Sequence, residues 1–289
     1  MSAKDKTPAL LKIVRWLYPK VETIWPSLAH RYFVTLFFTP LHFKVPAKEQ
    51  TAETYAEKFS LQINNKKVQC YSWGKTDKVV LVVHGWGGRA TQFRRFTRPL
   101  NQAGYRVVGF DAPAHGKSEG SQTSILEFEQ VIRKLYDTIG IPDAVIAHSF
   151  GGGAVLFAAA NGLPVKSLVN IASPTMGSEI ISTYLRTIHA AAATGEYFRA
   201  YILKRFGKSF DDFTAMQLVR HLPQTTNLLL IHDEDDKDVP IYQAEELIKI
   251  YTPARLFKTK GLGHTRILKD DVVINKAVTY INNPASHKN

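Results

Sequence analysis

The chain contains a serine, a run of acidic residues and a histidine, and each follows an apolar stretch. Ser149 comes after Val145-Ile-Ala147, five acids lie within Asp233-Glu-Asp-Asp-Lys-Asp238, and His264 closes Gly261-Leu-Gly-His264. A serine hydroxyl becomes a nucleophile when a histidine takes its proton and a carboxylate orients and stabilises that histidine. These three residue types, in this order along the chain, therefore predict nucleophilic catalysis.

The surroundings of Ser149 predict a sharp turn between a strand and a helix. The pattern small-x-Ser-x-Gly is that of a nucleophile elbow, in which the serine adopts strained backbone geometry at a helix N-terminus. The residues two before and two after the serine must be small because strand and helix nearly touch there, and here they are Ala147 and Gly151. The same pattern also arises by chance in glycine-rich turns with a solvent-facing serine. The elbow therefore needs support from the rest of the chain.

Apolar strands alternate with amphipathic helices over most of the sequence. A β-hairpin is predicted over 59–73, turning at Asn64-Asn65. Further strands are predicted at 78–83, 105–110, 144–147, 165–172, 227–232 and 254–258, with helices at 91–103, 124–139, 152–160, 241–251 and 270–282. This alternation is typical of an α/β fold with a parallel sheet. A helical block from 174 to 223 interrupts it, which predicts either an elaborated connection or a lid over the pocket.

Two loops early in this series carry further candidate residues. The glycine-rich turn His84-Gly85-Trp86-Gly87-Gly88 follows a buried strand, where backbone N–H groups are free to face a ligand. It is either a plain turn or half of an oxyanion hole, with the N–H groups of Trp86 and Phe150 as the two donors. In the turn-rich loop 111–118, we expect Asp111 and His115 to fix the loop by hydrogen bonds rather than to do chemistry.

Length and composition limit the class of protein. The 289 residues fit one large α/β domain or two small ones. The net charge of +12 admits nucleic acid, anionic lipid or an anionic substrate as partners, but no nucleic-acid-binding motif is found, so nucleic acid is not expected. Cys70 is the one cysteine, which excludes an intrachain disulfide and permits the cytoplasm, the predicted location.

Residues 1–50 do not follow the strand–helix alternation. A helix is predicted over 9–18, ended by Pro19, and a second begins at the cap Ser27 and runs to Phe38. Charged residues interrupt every apolar stretch, so no transmembrane span is expected. We expect these helices to pack on the domain or roof its pocket. The alternatives are a dimer contact or a membrane-surface contact through residues 8–44, which would make the protein peripheral to a membrane. Residues 44–57 are predicted to form a polar connector.

Together these motifs resemble those of the α/β-hydrolase superfamily, across about residues 58–285. The matching stretches are His84-Gly-Trp-Gly-Gly, Asp111-Ala-Pro-Ala-His-Gly-Lys-Ser, Ala147-His-Ser-Phe-Gly-Gly, His232-Asp-Glu-Asp-Asp-Lys-Asp-Val-Pro and Gly261-Leu-Gly-His. The resemblance implies the α/β-hydrolase fold, an eight-stranded, mostly parallel sheet flanked by helices. The predicted division is an N-terminal helical extension over 1–50 and a catalytic domain over 51–289, with a lid inserted at 174–223.

The resemblance also implies a role for each site residue. Ser149 attacks a carbonyl to give an acyl-enzyme, His264 is the base, and the acid that orients His264 is Asp236, four residues before Pro240. Asp235 and Asp238 remain alternatives for the acid. Trp86 and Phe150 bind the oxyanion, and no metal or organic cofactor is needed. Family members that act as epoxide hydrolases or dehalogenases are expected to carry Asp at the nucleophile position, so Ser149 disfavours those activities.

The predicted reaction is hydrolysis of a carboxylic ester. Cleavage of a thioester, C–C or peptide bond uses the same three residues, and a non-catalytic ligand-binding scaffold is a further alternative. We expect a small-molecule ester with an apolar acyl group or an anionic group. Arg89, which follows the oxyanion loop, and Gly85 are the predicted substrate-binding residues. The sequence leaves the oligomeric state open.

Overall fold

The structure, a computed structural model, describes residues 9–283. Its helices within that range are α1 (Ala9–Ile24), α2 (Pro26–Phe38), α3 (Ala47–Thr54), α4 (Arg94–Gln102), α5 (Ile125–Ile139), α6 (Phe150–Ala160), α7 (Gly177–Ile188), α8 (Ala192–Phe206), α9 (Ala215–Leu218), α10 (Tyr242–Ile250), α11 (Gly263–Arg266) and α12 (Asp271–Asn282). Short 3₁₀ helices span Ala90–Phe93, Phe210–Phe213, Val219–His221 and Ile267–Lys269. The strands are β1 (Glu57–Ile63), β2 (Lys66–Trp73), β3 (Val79–Val83), β4 (Arg106–Phe110), β5 (Ala144–His148), β6 (Ser167–Ile171), β7 (Asn227–Asp233) and β8 (Ala254–Thr259).

The eight strands form one sheet in the order β1-β2-β4-β3-β5-β6-β7-β8. The pairs β1–β2 and β2–β4 are antiparallel and the other five pairs are parallel. Asn64 and Asn65 join β1 to β2 with positive φ angles of 48° and 62°, as a tight hairpin turn requires. The predicted hairpin and the mostly parallel eight-stranded sheet are therefore confirmed.

Both faces of the sheet are buried. All five residues of β3 are buried, and its alternate side chains enter two separate apolar clusters. Leu81 and Val83 belong to the cluster that contains α5 and α6, whereas Val80 and Val82 belong to the one that contains α4 and α12. A strand covered on both faces needs apolar residues throughout rather than in alternation, which explains the continuous valine-rich run.

The chain folds into two compact units. Residues 40–175 and 213–283 form the sheet unit, and residues 9–39 and 176–212 form the helical unit, which holds α1, α2, α7 and α8. These bounds differ from the predicted ones, because α3 and residues 213–223 belong to the sheet unit. The lid role of 174–223 stays a prediction. The ends of the predicted divisions, residues 1–8 and 284–289, lie outside the described residues.

The predicted end of the first helix at Pro19 is wrong. The helix α1 continues through Pro19 to Ile24, because contacts within the helical unit hold it on both sides of the proline. Before the proline, Arg15 Nε donates to the Thr187 carbonyl at 2.7 Å. After it, the Glu22 carboxylate accepts from the Ala191 N–H at 2.9 Å. Tertiary anchoring of this kind offsets the hydrogen bond that a proline removes from a helix.

The second helix begins one residue before the predicted cap, Ser27. Pro26 occupies its first position, where a proline loses no hydrogen bond that the helix needs. One face of α2 contributes Phe33 and Phe37, which pack against Phe198 at ring-centroid distances of 5.4 and 4.3 Å. No helix within residues 9–283 is long and apolar enough to cross a bilayer.

The predicted polar connector at 44–57 contains the helix α3. Its two buried acids each have a partner far along the chain, Arg89 for Glu49 and Lys117 for Glu53. Glu53 also pairs with the nearby Lys58. Local sequence carries no signal of the two distant partners. The helix was therefore missed because its stabilising contacts are tertiary.

Candidate active site

Ser149 lies at the turn from β5 into α6, with φ 51° and ψ −126°. A positive φ is strained for a residue with a side chain, and here several hydrogen bonds hold it. The Ser149 N–H donates to the Ile171 carbonyl at 2.8 Å. The Ser149 carbonyl accepts from the Gly152 N–H at 2.9 Å and from Ser173 Oγ at 2.5 Å. The predicted elbow geometry is present.

Glycines surround this turn because neighbouring atoms leave no room for a side chain. A Cβ on Gly151 would collide with the carbonyl oxygens of Val83 and His84, and one on Gly152 with the side chains of Asn170 and Ser173. The crowding at Gly151 thus comes from the last residue of the adjacent strand β3 and the residue that follows it. Gly85, a predicted substrate-binding residue, approaches the serine so closely that a Cβ there would lie 2.8 Å from Ser149 Cβ. Its role toward substrate stays a prediction.

His264 connects Ser149 to Asp236. Its Nε2 lies 3.0 Å from Ser149 Oγ, and its Nδ1 lies 2.8 Å from Asp236 Oδ2. The Asp236 side chain is fully buried, and its other oxygen accepts from the N–H groups of Asp238 and Val239 at 2.9 Å each. The structure thus brings together three of the predicted site residues in the geometry of a nucleophile, a base and an orienting acid.

The two alternative acids lie apart from this chain of bonds. Asp238 contributes its backbone N–H to Asp236. Asp235 accepts from the Gly261 N–H at 3.0 Å. Both are exposed, whereas Asp236 is buried beside the imidazole. Burial opposes the charge of Asp236, but the hydrogen bond and charge of His264 and the N–H groups of Val239 and Asp238 outweigh it, so the pKa of Asp236 is below its ordinary value.

Asp233, at the end of β7, has a role that the sequence analysis missed. Its carboxylate accepts from the N–H groups of Gly263 and Leu262 at 2.8 and 3.1 Å, from the Asp235 N–H at 3.1 Å and from Thr259 Oγ1 at 2.8 Å. These bonds fix the loop that carries His264. Burial opposes its charge, but the four donors outweigh this and hold the pKa of Asp233 below its ordinary value. The available signal was its position directly after a buried strand.

His148 is a second positioning residue that the sequence analysis left without a role. It is buried next to Ser149, and its Nε2–H donates to the His264 carbonyl at 2.8 Å. Burial, with the nearby His264, lowers the pKa of His148 to about 3. Neutral His148 thus links the backbone of His264 to the end of strand β5 by a hydrogen bond.

Two further histidines hold the oxyanion loop. His115 Nε2 accepts from the Gly87 N–H at 2.9 Å, and His84 Nε2 accepts from the Ala112 N–H at 2.9 Å. Their other ring nitrogens donate to the carbonyls of Pro113 and Gly85. Burial lowers the pKa of His115 to about 4, and it lowers that of His84 well below the ordinary value. Each imidazole must be neutral to accept a hydrogen bond, which agrees with these shifts.

The two predicted oxyanion donors are near each other. The rings of Trp86 and Phe150 are in edge contact, with centroids 5.1 Å apart. Phe150 is the first residue of α6, where the backbone N–H has no partner within the helix. None of the hydrogen bonds found within residues 9–283 uses the Trp86 N–H, whereas the Gly87 N–H donates to His115 and the Gly88 N–H to the Gly85 carbonyl. The role of these two N–H groups, of Trp86 and Phe150, as oxyanion donors stays a prediction.

Asp111 fixes its own loop, residues 111–118, in agreement with the prediction. Its carboxylate accepts from the N–H groups of Ala90 and Lys117 at 2.9 Å each and from Tyr71 Oη at 3.0 Å. Burial nevertheless raises the pKa of Asp111 above its ordinary value, because these donors only partly offset it. The aspartate therefore bridges β2, the start of the 3₁₀ helix at Ala90 and its own loop.

Arg89, the other predicted substrate-binding residue, is paired inside the fold, and its role toward substrate stays a prediction. The guanidinium is buried, and its Nε pairs with Glu49 Oε2 at 2.6 Å. Thr91 Oγ1 donates to the same oxygen at 3.2 Å. The charge of Arg89 is thus engaged by α3, which fixes the chain after the oxyanion loop.

A metal ion fits poorly among these residues. Asp236, Asp238 and His264 place one ligand atom each within 4.8 Å of one another. However, the nearest atoms of Asp236 and His264 are hydrogen-bonded to each other, and the second Asp236 oxygen accepts two N–H groups. An ion would have to displace these bonds.

The chain is similar to known proteins in sequence and in fold. The family model described as "alpha/beta hydrolase fold" matches residues 78–224, half of the chain. A 2-hydroxy-6-oxononadienedioate/2-hydroxy-6-oxononatrienedioate hydrolase from Cupriavidus pinatubonensis is 33% identical over 124 residues, which cover 39% of this chain and 42% of that protein. One from Dechloromonas aromatica is 35% identical over 114 residues, covering 36% of this chain and 39% of its own length.

Among solved structures, an esterase from Pyrococcus furiosus has the same fold, with a TM-score of 0.61. It is 18% identical in sequence, and the match covers 85% of this chain and 96% of the esterase. The fold is thus matched over most of the chain, whereas the curated relatives match it over less than half of their length.

Proposed function

Because the chain belongs to the α/β-hydrolase fold family, we propose that it is a serine hydrolase that cleaves a carboxylic ester through an acyl-enzyme intermediate. The observation that carries the proposal is the position of His264, 3.0 Å from Ser149 Oγ and 2.8 Å from Asp236 Oδ2. Both distances are within hydrogen-bond reach, which is the first requirement for a general base and the acid that orients it.

In the first step, Ser149 Oγ attacks the ester carbonyl while its proton passes to His264 Nε2. Asp236 holds the Nδ1–H of the imidazole and stabilises the imidazolium that forms. The carbonyl oxygen becomes an oxyanion, which the N–H groups of Trp86 and Phe150 stabilise. One such donor is worth a factor of about 10²–10³ in rate. His264 then donates its proton to the leaving alcohol, and Ser149 keeps the acyl group.

In the second step, His264 takes a proton from water, and the resulting hydroxide attacks the acyl carbon. The carboxylic acid leaves when His264 returns the proton to Ser149 Oγ. No step requires a metal or an organic cofactor. His148 and Asp233 act through His264, since they hold its carbonyl and the N–H groups of its loop.

Hydrolysis of p-nitrophenyl esters with acyl chains from C2 to C12 tests the proposal. We expect turnover by the wild-type chain, and the preferred chain length reports the size of the acyl pocket. Ser149→Ala should lower kcat by a factor of about 10⁵ or more, as removal of a catalytic serine does in other serine hydrolases. Ser60→Ala is the matched control, because it removes an exposed serine hydroxyl from β1. Equal turnover by Ser149→Ala and the wild type would refute the proposal.

A second candidate is hydrolysis of a C–C bond on the same three residues. It is favoured by the curated relatives, which are named as hydrolases of 2-hydroxy-6-oxononadienedioate and 2-hydroxy-6-oxononatrienedioate. A dicarboxylate of that kind needs cationic partners, and Arg89 is already paired with Glu49. This geometry is why we rank ester hydrolysis first.

The two candidates are separated by a direct comparison of substrates. Loss of the ultraviolet absorbance of 2-hydroxy-6-oxononatrienedioate is measured beside p-nitrophenyl ester hydrolysis, for wild type and Ser149→Ala. A kcat/KM at least tenfold higher for the ester supports ester hydrolysis. The reverse ratio, abolished by Ser149→Ala, supports C–C hydrolysis.

A further inference from the structure

The helical unit exposes a concentration of large apolar side chains. Fifteen such side chains are exposed in the part of the chain with described side chains, and seven of them lie between residues 13 and 32. These seven are Ile13, Trp16, Leu17, Ile24, Trp25, Leu28 and Tyr32, and the two tryptophans are 66% and 61% exposed. Contiguous exposed apolar residues mark a surface that meets a partner, whereas scattered ones do not.

Helical periodicity gathers these residues on one face of each helix. In α1, Ile13, Trp16, Leu17 and Ile24 follow the spacing i, i+3, i+4 and i+11. In α2, Leu28 and Tyr32 are one turn apart, and Trp25 is at the corner between the helices. Residues 24–28 line an open hollow at that corner. We call the seven residues, with the interspersed Lys12, Lys20 and Arg31, the outer face.

Packing within the helical unit does not explain the outer face. A different set of residues, Tyr18, Ala29, Phe33 and Phe37, is buried and makes the contacts of α1 and α2. Phe33 and Phe37 pack on Phe198, and Tyr18 Oη donates to the Ala29 carbonyl at 3.0 Å. A helix that is apolar on its exposed face as well as its buried face needs a second apolar environment.

The charge on the outer face has one sign. Lys12, Lys20 and Arg31 are exposed, and Lys20 Nζ lies over the Trp16 ring, 3.3 Å from its centroid. Glu22 is the single acid of α1 and α2, and it bonds to the Ala191 N–H and to Thr194 within the unit. Tryptophan and tyrosine at the edge of an apolar surface, next to cations, are typical of helices that lie in the headgroup region of a bilayer.

We propose that the outer face of α1 and α2 docks in plane on the surface of a bilayer that contains anionic phospholipid. The apolar residues enter the boundary between headgroups and acyl chains, and Lys20 and Arg31 face the phosphates. The helices do not cross the bilayer. This proposal is independent of the hydrolytic reaction.

The charge pattern favours lipid over a second copy of the chain as the occupant. A symmetric dimer through this face would bring Lys20 and Arg31 against their own copies, and the one carboxylate within residues 9–38, on Glu22, already bonds inside the helical unit. Like charges in a closed interface are destabilising. An anionic bilayer instead attracts each cation near its surface.

The test is co-sedimentation of the full-length chain with two kinds of vesicle. Neutral vesicles contain phosphatidylcholine alone, and anionic vesicles contain phosphatidylcholine with about 30 mol% phosphatidylglycerol. We expect binding to the anionic vesicles at least about tenfold tighter than to the neutral ones, and weaker in high salt. Equal binding to both vesicles, or to neither, would overturn the proposal.

Two double variants assign the binding to the outer face. Trp16→Ser with Trp25→Ser, and Lys20→Glu with Arg31→Glu, should each lower the anionic-vesicle partition coefficient at least about tenfold. Two control variants make the same kinds of change at exposed positions of the sheet unit. The first combines Tyr55→Ser with Ile141→Ser, and the second combines Lys75→Glu with Lys78→Glu. These controls should change it less than about twofold, because single surface charges away from the contact have small effects.

Folding and self-association are followed in the same samples. Thermal unfolding by circular dichroism verifies that each variant keeps its structure, so that loss of binding is not loss of folding. Sedimentation equilibrium measures oligomeric state without vesicles. One outcome would overturn the proposal in favour of a second copy: the wild type is a dimer that does not bind vesicles, and the variant Trp16→Ser with Trp25→Ser is a monomer. An equal loss of binding in the control variants would also overturn it.

Discussion

Two buried aspartates, Asp233 and Asp111, organise opposite sides of the candidate site, and they hold their charges differently. Asp233 fixes the loop of His264 with three backbone N–H groups and a hydroxyl. Asp111 fixes the loop opposite with two N–H groups and a phenol. The pKa of Asp233 is lowered, whereas burial raises that of Asp111. Asp111 lies deeper in the fold than Asp233 and has one donor fewer, and both differences favour the neutral form of Asp111 relative to that of Asp233.

The contrast extends to the groups around each aspartate. On the His264 side, Asp236 is a second carboxylate whose pKa is lowered. On the oxyanion side, the loop is held by His84 and His115, which are neutral because burial lowers the pKa of each. The His264 side thus holds two carboxylates with a lowered pKa, whereas the oxyanion side holds one with a raised pKa and two neutral imidazoles. We call the first the charged side and the second, after its imidazoles, the neutral side. The two sides should respond differently to substitution and to pH.

The largest effect is expected on the charged side, where Asp236→Asn removes the charge that orients His264. We expect kcat/KM for the best p-nitrophenyl ester to fall by about 10³–10⁴, because an amide at this position favours the wrong imidazole tautomer. Asp238→Asn and Asp235→Asn change neighbouring acids in the same way and should cost less than about threefold. A larger loss in either of them than in Asp236→Asn would transfer the role to that acid.

The second expectation compares Asp233→Asn with Asp111→Asn at neutral pH. Asp233→Asn should lower the free energy of unfolding by about 3 kcal/mol, because an NH₂ group would face buried donors that now bind a charge. Asp111→Asn should cost about 1–2 kcal/mol, since it also removes a charge that burial opposes. Urea denaturation of both variants and the wild type gives these values. Equal costs would break the contrast between the two sides.

The pH dependence of these two costs sharpens the same comparison. A carboxylate with a lowered pKa stabilises the fold above the ordinary Asp pKa of 3.8 and loses this contribution as pH falls through the folded value. A carboxylate with a raised pKa stabilises the fold below 3.8 and loses this contribution as pH rises through the folded value. The cost of Asp233→Asn should therefore shrink below pH 3.8, and that of Asp111→Asn should grow on acidification from pH 7. Parallel trends in urea midpoints would contradict the assignment.

A smaller effect is expected from His148, which precedes Ser149 at the elbow and bonds to the backbone of His264. His148→Ala removes the donor to the His264 carbonyl and should lower kcat/KM by about tenfold, the equivalent of one hydrogen bond. His148→Asn keeps a donor and should recover part of the loss. Because the pKa of His148 is about 3, the pH profile of the wild type between 5 and 8 should not contain its titration. If His148→Asn lowers kcat/KM as much as His148→Ala does, His148 acts through packing alone and the assigned hydrogen-bond role is wrong.

The smallest effect concerns the neutral side. The pKa of His115 is about 4 in the fold against an ordinary 6.5, so the unfolded chain binds more protons between these values. Wild-type stability should therefore decline as pH falls from 6.5 to 4. His115→Asn keeps an acceptor for the Gly87 N–H but does not titrate, and should reduce proton uptake on unfolding by up to about one proton. The exposed His221→Asn is the matched control, and an equal change there would refute the assignment to His115.

The sheet, its hairpin and the order of the candidate residues could be predicted because local patterns encode them. Continuous valine runs indicated strands covered on both faces, and Asn64-Asn65 indicated the turn. The α/β-hydrolase family is confirmed by the family model over residues 78–224. Ser149, Asp236 and His264 could be named because each follows a strand whose carboxyl end reaches the same edge of the sheet.

The remaining features depend on contacts that the sequence does not display. The helix α3 is held by Glu49 and Glu53 through partners 40 and 64 residues away. The continuation of α1 past Pro19 depends on Arg15 and Glu22 meeting residues of the helical unit more than 160 positions later. The role of Asp233 is likewise set by a loop about 30 residues on. Local propensity cannot anticipate such tertiary partners.

The measurement that tests the central claim most directly is labelling with a fluorophosphonate probe, mapped by peptide mass spectrometry. An activated serine reacts with the probe, whereas an ordinary hydroxyl does not. We predict one label per chain at Ser149 in the wild type, and labelling at least about 10²-fold slower in His264→Ala, which lacks the base. Absence of label at Ser149 in the folded wild-type chain, or an equal labelling rate in His264→Ala, would contradict the account.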